Sequence, residues 1–280
     1  MRLHKIKQII KDIIHILTKR RLSFLKRLVL LFYFVKITVQ NFLNNRLMTY
    51  KEVTFLGYTV SFSSFSEFAI LVHEIFVEDP YYFKSSKKAP CIVDCGGNIG
   101  MSVLYFKWLY PDALITVFEP APRACKMLRK NIEQNNLQGV TVVEKALSDE
   151  NGSATIYLRE DITLAATMEK NEAHGSGEHI VETVRLSDYI EDEIDFMKID
   201  IQFSEQRVFE DLAKTNTFRH INRLIMEFHH HYGYESNSFG QTLQYLEQGG
   251  LHYFIELNCK KSDRFASYML TAQRIENDTH

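Results

Sequence analysis

Cysteine is scarce in this 280-residue chain: Cys91, Cys95, Cys125 and Cys259 form no Cys-x-x-Cys pair and no evenly spaced framework. That excludes a disulfide scaffold and a cysteine zinc site, and it points to a reducing compartment, the cytoplasm. Long apolar runs are missing too. The run Leu28 to Val35 ends at Lys36 after eight residues, whereas spanning a bilayer takes about 20. No small-residue cleavage site follows it, so a removed signal peptide is not expected. Acid is nearly absent at the N-terminus. Residues 1–50 hold eleven Lys and Arg against the single acid Asp12, a balance of +10, and the other 230 residues carry −12. The net charge of −2 therefore joins two physically different parts. What remains, 45% hydrophobic and 24% charged, is ordinary globular composition for one large domain with an appendage.

The appendage, residues 1–48, reads as a basic helical arm. Ile9, Ile10, Ile13, Ile14 and Leu17 recur at helical spacing, with Lys5, Lys7, Lys11 and Lys19 between them. Such an arm suits the inner face of an anionic membrane, to which it would attach the chain peripherally. It also suits packing against the domain, or against a partner chain such as a second copy. Nucleic acid is not the expected partner, because the arm is strongly aliphatic and the rest of the chain is acidic. Residues 49–90 read as a cap: a hairpin over Val53–Phe62, a helix over Phe65–Phe76, an aromatic stretch and a polar linker.

From residue 91 to 280 short apolar runs alternate with amphipathic stretches, which predicts an α/β domain with a mainly parallel sheet. Strands are expected near 91–95, 114–119, 140–145, 194–200, 221–228, 251–257 and 265–272, and helices near 100–110, 123–136, 204–215 and 239–249. Extra strands near 153–158 and 179–186 flank a polar stretch, Arg159 to Glu178, with the length of a lid or binding loop. In such sheets ligands sit beyond the carboxyl ends of the strands. Those ends bring Asp94, Glu119, a turn over Lys145–Asp149, Asp200 and the segment Glu227–His231 to one crevice.

The most informative segment is Asp94-Cys95-Gly96-Gly97-Asn98-Ile99-Gly100, followed by Phe118-Glu119-Pro120. Glycines at a strand-to-helix turn allow close backbone approach, and the helix N-terminus offers unpaired N–H groups. Glu119, at the end of the next strand, can accept two ribose hydroxyls. A nicotinamide site wants G-x-G-x-x-G; here the glycines are 96, 97 and 100, and Asp94 would repel a pyrophosphate. A carboxylate there suits a ligand carrying an amine and a sulfonium, which favours S-adenosylmethionine over NAD. A Rossmann oxidoreductase and a noncatalytic module that binds glycan or protein are the alternatives.

Those motifs, with Leu128, Asn131 and Asn135, Ala146-Leu147-Ser148-Asp149, Lys198-Ile199-Asp200, and Glu227 with His229, resemble the FkbM-type methyltransferases over about residues 75–260. The resemblance implies a class I methyltransferase fold (Rossmann-like), with a seven-stranded, mainly parallel sheet covered by helices on both faces. It also implies S-adenosylmethionine as cofactor, and O-methylation of a sugar hydroxyl on a glycan, glycolipid or glycosylated metabolite. Its cofactor set would be Asp94, Gly96, Gly97, Asn98, Gly100, Glu119, Pro120, Ala146, Leu147 and Ser148. Among these, Asp94, Gly96, Asn98 and Gly100 would hold the methionine end, Glu119 the ribose, and Ala146 onward the adenine. One departure stands out. After Ile201 the family pattern has Glu or Gln and then Gly, whereas this chain has Gln202-Phe203-Ser204-Glu205. Bulk at Phe203 implies either a reshaped acceptor pocket or impaired catalysis.

Methyl transfer to a hydroxyl needs alignment and a group that takes the proton. Asp200, Glu205 and His229 are the candidates, although Asp200 could instead meet the cofactor amine and Glu205 could cap the following helix. His229 and His231 share a strand face. With Asp200 they would make a two-histidine and carboxylate cation site, but histidines so placed more commonly line a polar pocket, and no metal is expected.

Overall fold

The computed structural model describes residues 2–43, 51–158, 166–167, 177–202, 204–231, 238–260 and 265–275. The arm forms two helices, α1 (Arg2–Thr18) and α2 (Phe24–Leu43). The cap follows as a hairpin of β1 (Glu52–Phe55) and β2 (Tyr58–Ser61), then α3 (Phe65–Leu71), which widens into a π-helical turn over Val72–Val77. An ordinary helix to Phe76 was expected. The wider turn brings Val72, Ile75, Phe76 and Val77 all into the core.

The main domain begins with β3 (Cys91–Cys95), α4 (Met101–Leu109), β4 (Leu114–Phe118), α5 (Pro122–Gln134) and β5 (Val140–Val143). Four strands then form a separate sheet: β6 (Ala146–Ser148), β7 (Gly152–Leu158), β8 (Ala166–Thr167) and β9 (Gly177–Arg185). The chain returns as β10 (Phe196–Ile199), α6 (Glu205–Lys214), β11 (Arg223–His231), α7 (Phe239–Gln248), β12 (His252–Lys260) and β13 (Phe265–Gln273).

The seven-stranded sheet has the order β12-β13-β11-β10-β3-β4-β5. From β11 to β5 every pairing is parallel, and β13 runs antiparallel between β11 and β12. Strand alternation feeds two cores. Ile92, Ile115, Phe196 and Ile225 face α4, the cap and the arm. Their neighbours Val93, Met197 and Leu224 face α6 and α7. Both faces of the sheet are thus covered, as the class I methyltransferase reading expects.

The register sets the crevice. Cys95 lies opposite Phe118 on β4 and Ile199 on β10, so the residues just beyond them, Gly96, Glu119 and Asp200, emerge at one edge. After β5 the chain crosses back to β10 on the other side of β3, and this is the switch point where such sheets bind ligands.

The arm and cap are part of the fold. Ile16, Leu30, Phe34 and Ile37 of the arm are buried in the same core as the cap. At the junction of α1 and α2, buried Asp79 takes Lys19 Nζ at 3.2 Å and Arg21 Nη2 at 2.7 Å, and it accepts the Tyr105 hydroxyl. The hairpin is held by α5, where Asn131 Oδ1 accepts the Ser61 N–H at 2.7 Å and Asn131 Nδ2 donates to the Ile99 carbonyl at 2.8 Å. Of the polar stretch from Arg159 to Glu178, residues 159–165 and 168–176 lie outside the described residues.

Candidate active site

The β3–α4 turn is shaped by what its glycines touch. Gly96 has φ +92°, and a Cβ there would sit 2.0 Å from the carbonyl oxygen of Asp200. At Gly97 a Cβ would meet Val117 at 2.2 Å, and at Gly100, with φ +90°, Leu128 at 2.7 Å. The N–H groups of Gly96 and Gly97 both donate to the Phe118 carbonyl, at 3.0 and 2.9 Å. These glycines therefore seat the turn on β4, β10 and α5.

Glu119 is the pivot of this side. It is buried; its Oε2 accepts the Asn98 N–H at 2.7 Å and its Oε1 the Ala121 N–H at 2.9 Å. Burial pushes its pKa up to about 7, against the pull of those two N–H groups. A carboxylate oxygen has two lone pairs, so each oxygen keeps one for a ligand hydroxyl. Asn98 adopts φ +46°, and its side-chain Oδ1 is buried without a hydrogen-bond partner. Pro120 is half-buried beside Glu119, and Pro122 opens α5.

Asp94 works inward. It is fully buried, with Oδ2 accepting the Ser102 hydroxyl at 2.5 Å and Oδ1 lying 3.3 Å from Lys198 Nζ. Lys198 also donates to the carbonyls of Gly96 at 2.5 Å and Cys95 at 3.3 Å. Burial opposes the charge of Lys198, but Asp94 outweighs it and raises the lysine's pKa. Ala146, Leu147 and Ser148 are buried in β6, paired with β9, where a turn was expected. Leu147 enters the α6-side core, so strand alternation puts Ala146 and Ser148 together on the opposite face.

The other side of the crevice is built from side chains. Asp200 follows β10, and its N–H donates to the Cys95 carbonyl at 3.0 Å. His229 of β11 is buried, with Nδ1 2.7 Å from Oε1 of Glu205, itself fully buried in the first turn of α6. Gln202, at φ +51°, places Nε2 3.1 Å from His229 Nε2 and 3.4 Å from Asp200 Oδ1. Glu227 Oε1 lies 3.7 Å from His229 Nε2. Burial pulls the imidazole pKa down, but Glu205, helped by Asp200 and Glu227, outweighs it and raises it to about 9. Burial in turn raises the pKa of Glu205, against the pull of His229.

All three candidate catalytic residues thus meet in one place. Asp200, Glu227 and His229 offer ligand atoms within 4.8 Å of one another, a set that could also take a divalent cation. Strand alternation put two histidines and Asp200 together in the sequence reading; the structure supplies Glu227 as the third donor, and the side chain of His231 lies outside the described residues. So does Phe203.

Two site residues were not foreseen. Ser102, in the first turn of α4, closes off Asp94. Tyr81 reaches over from the cap, with its ring centroid 5.8 Å from Lys198 Nζ and in the field of Asp200, Asp94 and Glu227. The only signal was the aromatic run Tyr81-Tyr82-Phe83 ahead of the first core strand.

The sequence profile described as the Methyltransferase FkbM domain matches residues 94–253. The chain is 27% identical over 226 residues to Methyltransferase 1 of Beauveria bassiana (strain ARSEF 2860), covering 72% of this chain and 88% of that one. It is 30% identical over 207 residues to the 31-O-demethyl-FK506 methyltransferase FkbM of Streptomyces tacrolimicus, covering 62% and 79%. With the 2-O-methyltransferase NoeI of Sinorhizobium fredii (strain NBRC 101917 / NGR234) it shares 30% identity over 151 residues, covering 46% and 61%.

Proposed function

The chain belongs to the FkbM methyltransferase family and is an S-adenosylmethionine-dependent methyltransferase, and we propose that it methylates a hydroxyl of a sugar on a glycan, glycolipid or glycosylated metabolite. The names of two relatives place their methyl groups at 31-O and 2-O, which supports oxygen as the acceptor. A sugar is supported by the donor-acceptor character of the acceptor side, where Asp200, Gln202, Glu227 and His229 offer four polar side chains to a hydroxyl-rich ligand.

The crevice fits the cofactor. The unpartnered Asn98 Oδ1 and the two open lone pairs of Glu119 are polar groups in need of a ligand. Glu119 would hold the ribose hydroxyls, Asn98 the methionine end, and Ala146 with Ser148 would border the adenine. Bound S-adenosylmethionine supplies an electrophilic methyl group on a sulfonium. The acceptor oxygen would take that methyl group with the thioether as leaving group, and the hydroxyl proton would pass to Nε2 of His229. Glu205 accepts the Nδ1 proton of the same ring, which fixes the tautomer and stabilises the imidazolium. Asp200, Glu227 and Gln202 orient the hydroxyl.

The observation that carries this reading is the Glu205–His229 contact of 2.7 Å, which engages Nδ1 and leaves Nε2 facing Gln202, Asp200 and Glu227. The test is transfer of labelled methyl to a panel of sugar nucleotides, glycolipids, polysaccharides and non-sugar alcohols, with wild type beside His229→Gln. Label in sugar acceptors only, lost in the variant, supports the reading. Label in non-sugar alcohols alone would overturn the acceptor class.

A further inference from the structure

We propose that the outward face of the two N-terminal helices docks on an anionic lipid bilayer, so that the enzyme sits on a membrane surface without spanning it. The inference stands whatever the acceptor proves to be. Each helix has spent one side on the fold: Ile16 of α1 and Leu30, Phe34 and Ile37 of α2 are buried. Each also presents a second apolar stripe to solvent. On α1 it is Ile6, Ile10, Ile14 and Leu17, on one side of the helix. On α2 it is Leu25, Leu28, Phe32, Val35, Val39 and Phe42, at alternating spacings of three and four, with Phe32 63% and Phe42 78% exposed. A helix that is apolar on both sides calls for a second covering surface.

Charge decides what covers it. The three-and-four spacing would also serve a helical seam between two copies. Lys7 and Lys11, however, flank the α1 stripe in solvent, and Lys36 is the one charged residue within the α2 stripe. The arm's single acid, Asp12, is buried and turned inward to His73 at 3.2 Å. Every exposed charged side chain among the arm's described residues is therefore cationic, with Glu78 of the cap the acid beside α1, and a second copy would set the arm's like charges against each other. Anionic headgroups complement it, with the stripes lying at the acyl boundary. No described helix is long and apolar enough to cross a membrane, so the arm would lie along the surface.

The attachment is also rigid. Lys19 and Arg21 are clamped by Asp79, and Lys26 Nζ donates to the Trp108 carbonyl at 2.9 Å while lying over its ring. Docking the arm would thereby fix the orientation of the catalytic domain.

The test is co-sedimentation of the full chain with vesicles of phosphatidylcholine alone or with added phosphatidylglycerol, alongside sedimentation velocity and circular dichroism. Wild type should pellet with the phosphatidylglycerol vesicles and much less with the neutral ones. Phe32→Glu with Phe42→Glu removes two exposed side chains, so the fold signal should persist while partitioning falls by about tenfold or more. Lys7→Glu with Lys11→Glu should lower binding to the anionic vesicles by roughly tenfold or more. Methyl transfer to a soluble acceptor should be unchanged in both. Absence of wild-type pelleting, or pelleting that the phenylalanine variant leaves unchanged, would overturn the proposal. So would a dimer that the phenylalanine variant dissociates while vesicles fail to bind.

Discussion

The two sides of the crevice are made of different material. On the side proposed for the cofactor the carboxylate of Glu119 is answered by main-chain N–H groups of Asn98 and Ala121, and the turn is tied to β4 through the Phe118 carbonyl. On the side proposed for the acceptor Glu205 is answered by His229, and His229 by Gln202, all through side chains. A pocket of main-chain groups changes little when neighbouring residues change. A pocket of side chains changes with each substitution. This division suits an enzyme family that keeps one cofactor and varies its acceptor, and Gly96 is the joint, since its α-carbon abuts the Asp200 backbone while its carbonyl takes Lys198.

The sharpest way to break that comparison is His229→Ala. Loss of the proton acceptor should lower kcat by about 10²–10⁴, with the dissociation constant for S-adenosylmethionine held within about twofold. Single-turnover transfer and calorimetric titration of the cofactor read the two quantities separately. Equal losses in both would mean that the sides are not independent. Glu205→Gln keeps the shape and removes the charge behind the imidazole, for a loss of roughly 10–100-fold in turnover on the high-pH plateau.

The mirror experiment is Glu119→Ala. Two hydrogen bonds to a charged acceptor are worth about 1.5–3 kcal/mol each before relaxation, so cofactor affinity should weaken by about 10² or more. Turnover at saturating cofactor should change little. Because the Glu119 pKa is raised to about 7, the carboxylate is protonated below that pH and ionised above it. Affinity should then strengthen as pH rises through about 7, a dependence that Glu119→Gln should flatten.

The same contrast explains what could be read before the fold was known. The glycine turn and Glu119 were legible because a main-chain pocket leaves a local signature: φ near +90° at Gly96 and Gly100, and backbone contact that excludes a side chain. Asp200, Glu205 and His229 were legible as candidates by strand-end position, but their pairing was not, since Glu205 and His229 come from different elements. Glu227 was not foreseen as the neighbour of His229 for a related reason: strand alternation gives the shared face and not which side chains on adjoining elements meet. Strand β6 was missed because three residues are too few to show a period, and its partner β9 lies beyond the polar stretch. Tyr81 escaped because an aromatic run marks a cap segment and not which of its rings reaches over the sheet edge.

A smaller effect follows from the charge around the imidazole. His229 must be unprotonated to take the hydroxyl proton, and its pKa is raised to about 9. Turnover should therefore rise with pH and level off near 9, falling about tenfold per unit well below it. Glu205 is the principal group that raises that pKa, so Glu205→Gln should move the inflection to lower pH while lowering the plateau. A pH profile of kcat in both proteins reads the two changes together.

The last comparison expects no change. Nε2 of His229 can hold a proton in transit or a cation, and it cannot do both. If Asp200, Glu227 and His229 held a divalent ion, Nε2 would be its ligand and the proton would have to go elsewhere. Glu205 on Nδ1 makes Nε2 the acceptor of the neutral ring, where the Gln202 amide now lies at 3.1 Å and would be displaced by the acceptor hydroxyl. Turnover in excess EDTA should stay within about twofold of the untreated rate. A loss restored by magnesium or manganese, and no longer restored in Glu227→Gln, would convert the acceptor side from a base with its orienting carboxylates into a cation site, and the proton would then need solvent as its acceptor.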